Sequence, residues 1–346
     1  MNGEFLMAIE LIAKEKGIKK ETLIDAIDAA LITAYKKNYG TAQNVKVSID
    51  KETGEVEVFA LKNVTEETEN VLMEINIEDA RKINKKYIVG DVAEIKVTPK
   101  DFGRIAAQTA KQVVVQRIRE AERSIIYEEF INKEDEIVNG LVQRKEKSNV
   151  FIDLGKTEAI LGPNEQTPGE IYNVNDRIKT YVIEVRKTTK GPQVLLSRTH
   201  PGLVKRLFEL EVPEIKEGIV EIKNIAREAG ARTKIAVYSH DENVDAVGAC
   251  VGQRGQRVQL IVDELRGEKI DIIEWNSEAA IYVASALSPA KVINVRINKE
   301  ENTANAIVSD SQLSLAIGKE GQNARLAAKL TGWKIDIKSE SQIFNE

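Results

Sequence analysis

The stretch Ala249–Ile272, ACVGQRGQRVQLIVDELRGEKIDI, decides how this 346-residue chain folds. Its spacing predicts a short helix ending at Val251, a turn Gly252-Gln253-Arg254-Gly255, and a longer amphipathic helix. After Gly267 the pattern changes to a strand. A near copy lies at Ala316–Ile337, AIGKEGQNARLAAKLTGWKIDI, with Gly318-Lys319-Glu320-Gly321 in place of the first turn. Gln256 aligns with Gln322 and Leu260 with Leu326. After one deleted residue Gly267 aligns with Gly332, and Lys269-Ile270-Asp271-Ile272 with Lys334-Ile335-Asp336-Ile337. One GxxG carries little; a second in the same helix-turn-helix-strand setting marks a repeated unit.

The chemistry of the turn suggests its use. Glycines at both ends let the backbone approach another polymer and adopt positive φ. The following helix aims its free N–H groups and positive dipole end at the same spot, which suits phosphate. Arg254 and Arg257 in one copy, and Lys319 and Arg325 in the other, add cationic donors. Gln256, Gln322 and Asn323 complete the candidate RNA-binding set, while Glu320 puts an acid where the first copy has Arg254. The pattern matches the KH-type clamp on single-stranded RNA, whose loop holds about four backbone nucleotides. The plainer alternative is a structural turn between packed helices, and the duplication weighs against it.

Composition bounds the rest. The length suggests two or three domains. A net charge of -5 means that any nucleic-acid surface is a local patch, whose binding weakens with salt. A single cysteine, Cys250, excludes an internal disulfide and reads as a packed core thiol. Only His200 and His240 are present, so neither a metal site nor a cofactor is expected. Glu4 and Glu10 interrupt the N-terminal apolar stretch, which is therefore neither a signal peptide nor a membrane span. A soluble, cytoplasmic monomer without membrane contact is the expectation.

Along the chain, residues 3–16 place Phe5, Ala8, Ile9, Ile12 and Ala13 on one helical face, with Gly17 as the stop. A helix over 19–38 buries Leu23, Ile27, Leu31 and Ala34. Val45, Val47 and Ile49 alternate, as do Val56 and Val58, predicting a hairpin around Lys51-Glu52-Thr53-Gly54. A strand at 71–75, a short helix and a strand at 92–97 follow. A long helix then runs from Gly103 to Phe130, with Ile105, Thr109, Gln112 and Val113 along one stripe. This head shows no phosphate loop or catalytic constellation, and reads as a protein-contacting module.

Residues 135–198 read as short strands broken at Gly162-Pro163 and Pro168-Gly169. Val150, Ile152 and Leu154 alternate inward, leaving Phe151 on the other face. Five strands in so short a span suggest an OB barrel, a frequent oligonucleotide binder. The local excess of Lys and Arg over 176–198, with Arg186 and Lys187 as candidate contacts, suits a phosphate chain. Phe151 either stacks a base or plugs the barrel end. From Pro201 two units follow, each α-β-β-α-α-β, joined without a Gly/Ser linker, which predicts one rigid pair. Trp275 and Trp333 read as core.

The order of an α+β head, an OB barrel and tandem KH units resembles the bacterial NusA family of transcription factors over essentially the whole chain. The segments carrying the resemblance are Leu196-Ser197-Arg198-Thr199, Glu211-Val212-Pro213-Glu214-Ile215, Asp245-Ala246-Val247-Gly248-Ala249-Cys250-Val251-Gly252, Gly267-Glu268-Lys269-Ile270-Asp271 and Ala286-Leu287-Ser288-Pro289-Ala290. The resemblance implies a multidomain α+β chain. Residues 1–132 would form an N-terminal RNA-polymerase-binding domain with a long connecting helix. Residues 133–199 would be an OB-fold barrel of the ribosomal S-one type, and 200–276 and 277–346 two tandem type II (bacterial) KH domains. It further implies non-catalytic control of pausing, termination and antitermination, with core RNA polymerase, nascent single-stranded RNA and other antitermination factors as partners.

Two departures qualify it. Barrels of this type carry a second aromatic and a histidine at places that look like Ser148 and Gly162, and the acidic C-terminal repeats of some relatives have no counterpart. Alternatives are an RNA-binding adaptor in ribosome assembly and an RNA-processing enzyme such as a phosphorolytic exonuclease. No paired-carboxylate or metal-ligand constellation supports the latter.

Overall fold

The computed structural model describes residues 3–39, 44–49 and 55–344, in two compact units, Met1–Ile125 and Ile126–Glu346. The expected turn at 51–54, and the side chain of Phe5, lie outside the described residues.

The first unit runs α1 (Gly3–Lys16), α2 (Lys20–Tyr39), β1 (Val45–Ile49), β2 (Val56–Thr65), β3 (Glu74–Asn76), α3 (Ile77–Ile83), β4 (Val92–Lys96) and α4 (Phe102–Ile131), whose last turns belong to the second unit. β2 pairs antiparallel with β1 and β4 and parallel with β3. Ile9, Leu23, Ile27, Leu31 and Tyr35 meet Val47, Val58, Phe102, Ala106 and Ala110 in one core. The buried stripe of α4 is thus Phe102-Ala106-Ala110-Val114; of the expected stripe, Ile105 and Val113 pack against its edge, Thr109 is half-buried and Gln112 is exposed. Alanines spaced four apart let the helix approach closely, and the Phe102 ring anchors it edge-on against Tyr35 at 5.6 Å. Likewise Tyr35 rather than Ala34 fills the core, and Ala8 is exposed. The strand expected over 71–75 shrinks to 74–76 because Asn70 accepts the Leu72 N–H through its side chain and those of Met73 and Glu74 through its carbonyl, making a turn.

The second unit begins with a closed barrel of β5 (Ile137–Glu146), β6 (Asn149–Asp153), β7 (Glu158–Leu161), β8 (Arg177–Thr188) and β9 (Gly191–Ser197), in the order β5-β6-β7-β9-β8. Alternation sends Val142, Val150, Ile152, Ala159, Leu161, Val182, Val194 and Leu196 inward, and Phe130 from α4 caps the same core.

Two units of one topology follow. The first is α5 (Pro201–Glu211), α6 (Pro213–Lys216), β10 (Val220–Glu228), β11 (Arg232–Ser239), α7 (Ala246–Val251), α8 (Gln256–Glu264) and β12 (Lys269–Glu274). The second is α9 (Ala279–Ala286), β13 (Val292–Asn298), β14 (Thr303–Val308), α10 (Asp310–Ile317), α11 (Gln322–Thr331), β15 (Lys334–Ser339) and α12 (Glu340–Phe344). In each sheet the first pair is antiparallel and the third strand lies parallel to the middle one.

Strand alternation explains how the two units lock. On β11, Ile235 and Val237 face α5, α7 and α8, whereas Ala236 faces the other way, into a core with Tyr282, Val283, Leu326 and Leu330 of the second unit. Polar ties reinforce this contact: Asn224 donates to the Leu330 carbonyl at 3.1 Å, and the buried Lys234 ammonium to Asp271 and to the Ser288 carbonyl at 2.6 Å. The barrel is tied on by Arg198, which is 1% exposed and bonded to Glu170, Glu264 and two carbonyls. Fully paired buried charge of this kind fixes geometry more than it adds stability.

Candidate nucleic-acid interface

The two glycine-bracketed loops are built alike. Gly252, Arg254 and Gly255 adopt φ of 73°, 55° and 78°; Gly318, Glu320 and Gly321 adopt 77°, 54° and 73°. The first glycine of each pair has ψ near the extended limit, 175° and 171°, a combination open essentially to glycine alone. Its N–H closes the preceding helix onto Gly248 or Ser314, both at 2.9 Å. The second glycine is the N-cap of α8 or α11, and no side chain caps either helix. The first N–H of each helix, that of Gln256 or Gln322, turns back onto the carbonyl of Gln253 or Lys319, so the turns close on themselves and offer an outside anion the positive ends of the helices. Gln253, Arg254, Gln256, Lys319 and Glu320 are exposed around them.

Other expected contacts have structural partners. Arg257 does not stand free: its guanidinium bonds Glu214 at 2.9 Å and the Ala249 carbonyl at 2.7 Å, and its stem covers Gly252. Asn323, the corresponding residue of the second loop, is buried and donates to the carbonyls of Leu287 and Ala316 at 2.9 and 3.0 Å. Both brace the turn from beneath. Arg325 and Gln322 reach across to Glu228 of β10, at 2.6 and 2.9 Å. The Arg325 bond holds the Glu228 carboxyl below the usual carboxylate range, against the opposing effect of partial burial. Among the described residues, the loop cations without a carboxylate partner are then Arg254 in one copy and Lys319 in the other. Sequence spacing placed these side chains near the turn but carried no sign of their carboxylate partners, which lie far away in the chain.

On the barrel, Phe151 is half-buried on the outer face with the Arg144 guanidinium 4.0 Å over its ring. Arg186 pairs with Glu184, and Lys187 sits over the Tyr127 ring at 4.2 Å. The local positive bias is partly consumed inside: Arg198 is buried, and Lys179 pairs with Glu264 at 3.0 Å. Cys250 is fully buried, and burial pushes its thiol up to about 12. Among the described residues no group of three or more His, Cys, Asp or Glu could hold a metal ion, and no helix is long and apolar enough to cross a membrane.

A closed five-stranded barrel leading into two interlocked sheets, each presenting a glycine-bracketed loop at a helix start, defines a modular RNA-binding protein of the S1–KH–KH class. Matches to family descriptions follow the same order: "NusA N-terminal domain" over residues 4–124, "S1 RNA binding domain" over 132–197, "NusA-like first KH domain" over 198–275 and "NusA-like second KH domain" over 279–345. The chain is 61% identical over 342 residues to a "Transcription termination/antitermination protein NusA" of Halalkalibacterium halodurans, covering 99% of this chain and 90% of that one. It is also 61% identical to the protein so described from Bacillus subtilis, covering 99% and 92%. The solved solution structure of the N-terminal domain of the latter is 60% identical over 36% of this chain and 99% of that one, with a TM-score of 0.33. This chain belongs to the NusA family of transcription termination/antitermination proteins, which are regulators and not enzymes.

Proposed function

We propose that this chain holds RNA polymerase and the emerging transcript together, and through that bridge modulates pausing, termination and antitermination. Residues 1–132 dock on core polymerase. The barrel (133–199) and the two KH units (200–276 and 277–346) hold unpaired RNA, and other antitermination factors join the same complex. The chain acts as a monomer in the cytoplasm. The observation that carries this reading is the pair of open loops with matching backbone, on units joined by one core. Two grooves of about four nucleotides each, fixed relative to one another, raise the effective concentration of the second once the first is filled.

Each loop meets the sugar-phosphate chain with the positive end of the following helix, and Gln253 and Arg254 in one copy and Lys319 in the other supply side-chain donors. Glu320 at the apex of the second loop makes it the weaker of the two, since its carboxylate opposes phosphate where Arg254 attracts it.

The test replaces Gln253 and Arg254 together by Asp in the full chain and measures single-stranded RNA binding by fluorescence anisotropy. Both side chains are exposed, so the fold survives while affinity falls at least about tenfold, the loss of a charge-assisted contact plus new repulsion. Unchanged affinity overturns the clamp. Retention of core polymerase by the immobilised full chain tests the other half of the bridge, and its failure leaves only an RNA-binding adaptor.

A further inference from the structure

We propose that Arg144 is a nucleobase-stacking residue of the barrel, taking the part that a second aromatic would play. The inference rests on reading the barrel as a single-stranded RNA module. It concerns a residue that neither the motif pattern nor the family descriptions single out.

Arg144 lies on β5 directly across from Phe151 on β6, and its guanidinium carbon sits 4.0 Å from the centre of that ring. The N–H fork is held by carboxylates: Nε donates to Glu146 at 2.7 Å, Nη2 to Glu158 at 3.0 Å, and Nη1 to the second Glu158 oxygen. Guanidinium N–H bonds lie in the plane of the group, so these partners ring its edge and leave its faces uncovered. One face rests on Phe151. The side chain is still 40% exposed, which leaves the other face for a ligand. A planar cation stacked on an aromatic presents the kind of surface on which unpaired bases stack.

The surroundings select a base rather than a phosphate. Two carboxylates about one guanidinium leave an excess of negative charge, which repels the phosphate chain. Exposed Ser148 lies just before β6, and Gly162, just past the Val150–Leu161 pair, has open space where a side chain would begin. No bulky side chain therefore stands at either of these two positions near the Phe151–Arg144 stack. Glu158 acts as a positioning residue, holding the fork so that the plane stays over the ring.

The experiment uses the full chain and a single-stranded oligoribonucleotide, together with a set of the same RNA carrying one abasic position moved along its length. Arg144→Ala and Arg144→Lys are compared by anisotropy across a salt series. The expected result is a loss of about five- to a hundredfold for Arg144→Ala, the range of one stacked base. Arg144→Lys loses as much, because the charge is kept but the plane is gone. The salt slope stays that of the parent, and one abasic RNA in the set abolishes the difference between parent and variant. Unchanged or tighter binding by Arg144→Ala overturns the proposal, since the guanidinium would then only cover the ring. Full rescue by Arg144→Lys, or a loss that persists on every abasic RNA, overturns it by showing a charge contact. The Gln253/Arg254 double variant, run alongside, separates the two readings. If it alone loses affinity, the clamp stands and the Arg144 stack fails; if Arg144→Ala alone loses it, the reverse holds.

Discussion

Replacing Gly318 by alanine tests the loop geometry most directly. At φ 77° and ψ 171° an alanine is held in a region populated almost only by glycine, at about 1–3 kcal/mol. Its Cβ would also lie 2.8 Å from both the backbone nitrogen and the Cβ of Asn323. Those atoms are in the first turn of α11, pinned by the Asn323 bonds to Leu287 and Ala316, so relief requires moving the helix. Overpacking of that sort adds about 1–3 kcal/mol. Gly321→Ala is the internal control: at φ 73° and ψ 13°, with no atom within 4 Å of the new Cβ, it meets only the left-handed backbone penalty of about 1–2 kcal/mol. A chain of several domains does not unfold in one step, so the assay is native-state hydrogen exchange at the amides of α11 and β15. With about 1.4 kcal/mol per tenfold, Gly318→Ala speeds exchange there by about 30-fold or more, and Gly321→Ala by less. Equal effects from the two substitutions would refute the reasoning, because steric overlap with Asn323 is what separates them.

Other outcomes follow from the same geometry. Burial alone would raise the Glu268 carboxyl, but hydrogen bonds from Arg227, Thr233 and the Gly230 N–H, with the Arg227 charge, hold it below its ordinary 4.5. A depressed carboxyl contributes stability above its unfolded value that is lost as pH falls through the folded one, so thermal melts down to about pH 3 show a decline below about 4.5 that Glu268→Gln flattens. Glu268→Ala leaves Arg227 buried without its partner and destabilises the first KH unit by about 3–5 kcal/mol, read by hydrogen exchange in β10 and β11. Cys250 resists a chromogenic disulfide reagent at mildly alkaline pH in the folded protein and reacts in denaturant, and rapid labelling of the native chain would contradict its burial. Glu320→Arg places a cation where the second loop has an acid; RNA affinity rises several-fold, and the salt slope steepens by about 0.7 if one phosphate is gained. An unchanged slope would show that the loop apex does not face the phosphate chain.

By itself the sequence determined the parts whose causes are local. Gly252-Gly255 and Gly318-Gly321 announce their turns because positive φ demands glycine within a few residues, and the alternation of Val150, Ile152 and Leu154 announces a barrel wall because strand period and burial are read along one segment. The stripe of α4 was read along its edge, at Ile105 and Val113, and not along its buried centre, since small alanines count for little in a hydrophobic pattern yet allow the closest packing. Tertiary structure alone decided which polar side chains remain available to RNA. Arg257 and Glu214, Arg325 and Glu228, and Arg198 with Glu170 and Glu264 meet only when strands and helices distant in the chain are brought side by side. Residue type sets a side chain's charge, but the folded neighbourhood sets whether that charge is already satisfied. The same holds for the surface on which the two KH units meet: Ala226, Ala236 and Ile273 look like ordinary core residues until the second unit's helices are seen to cover them.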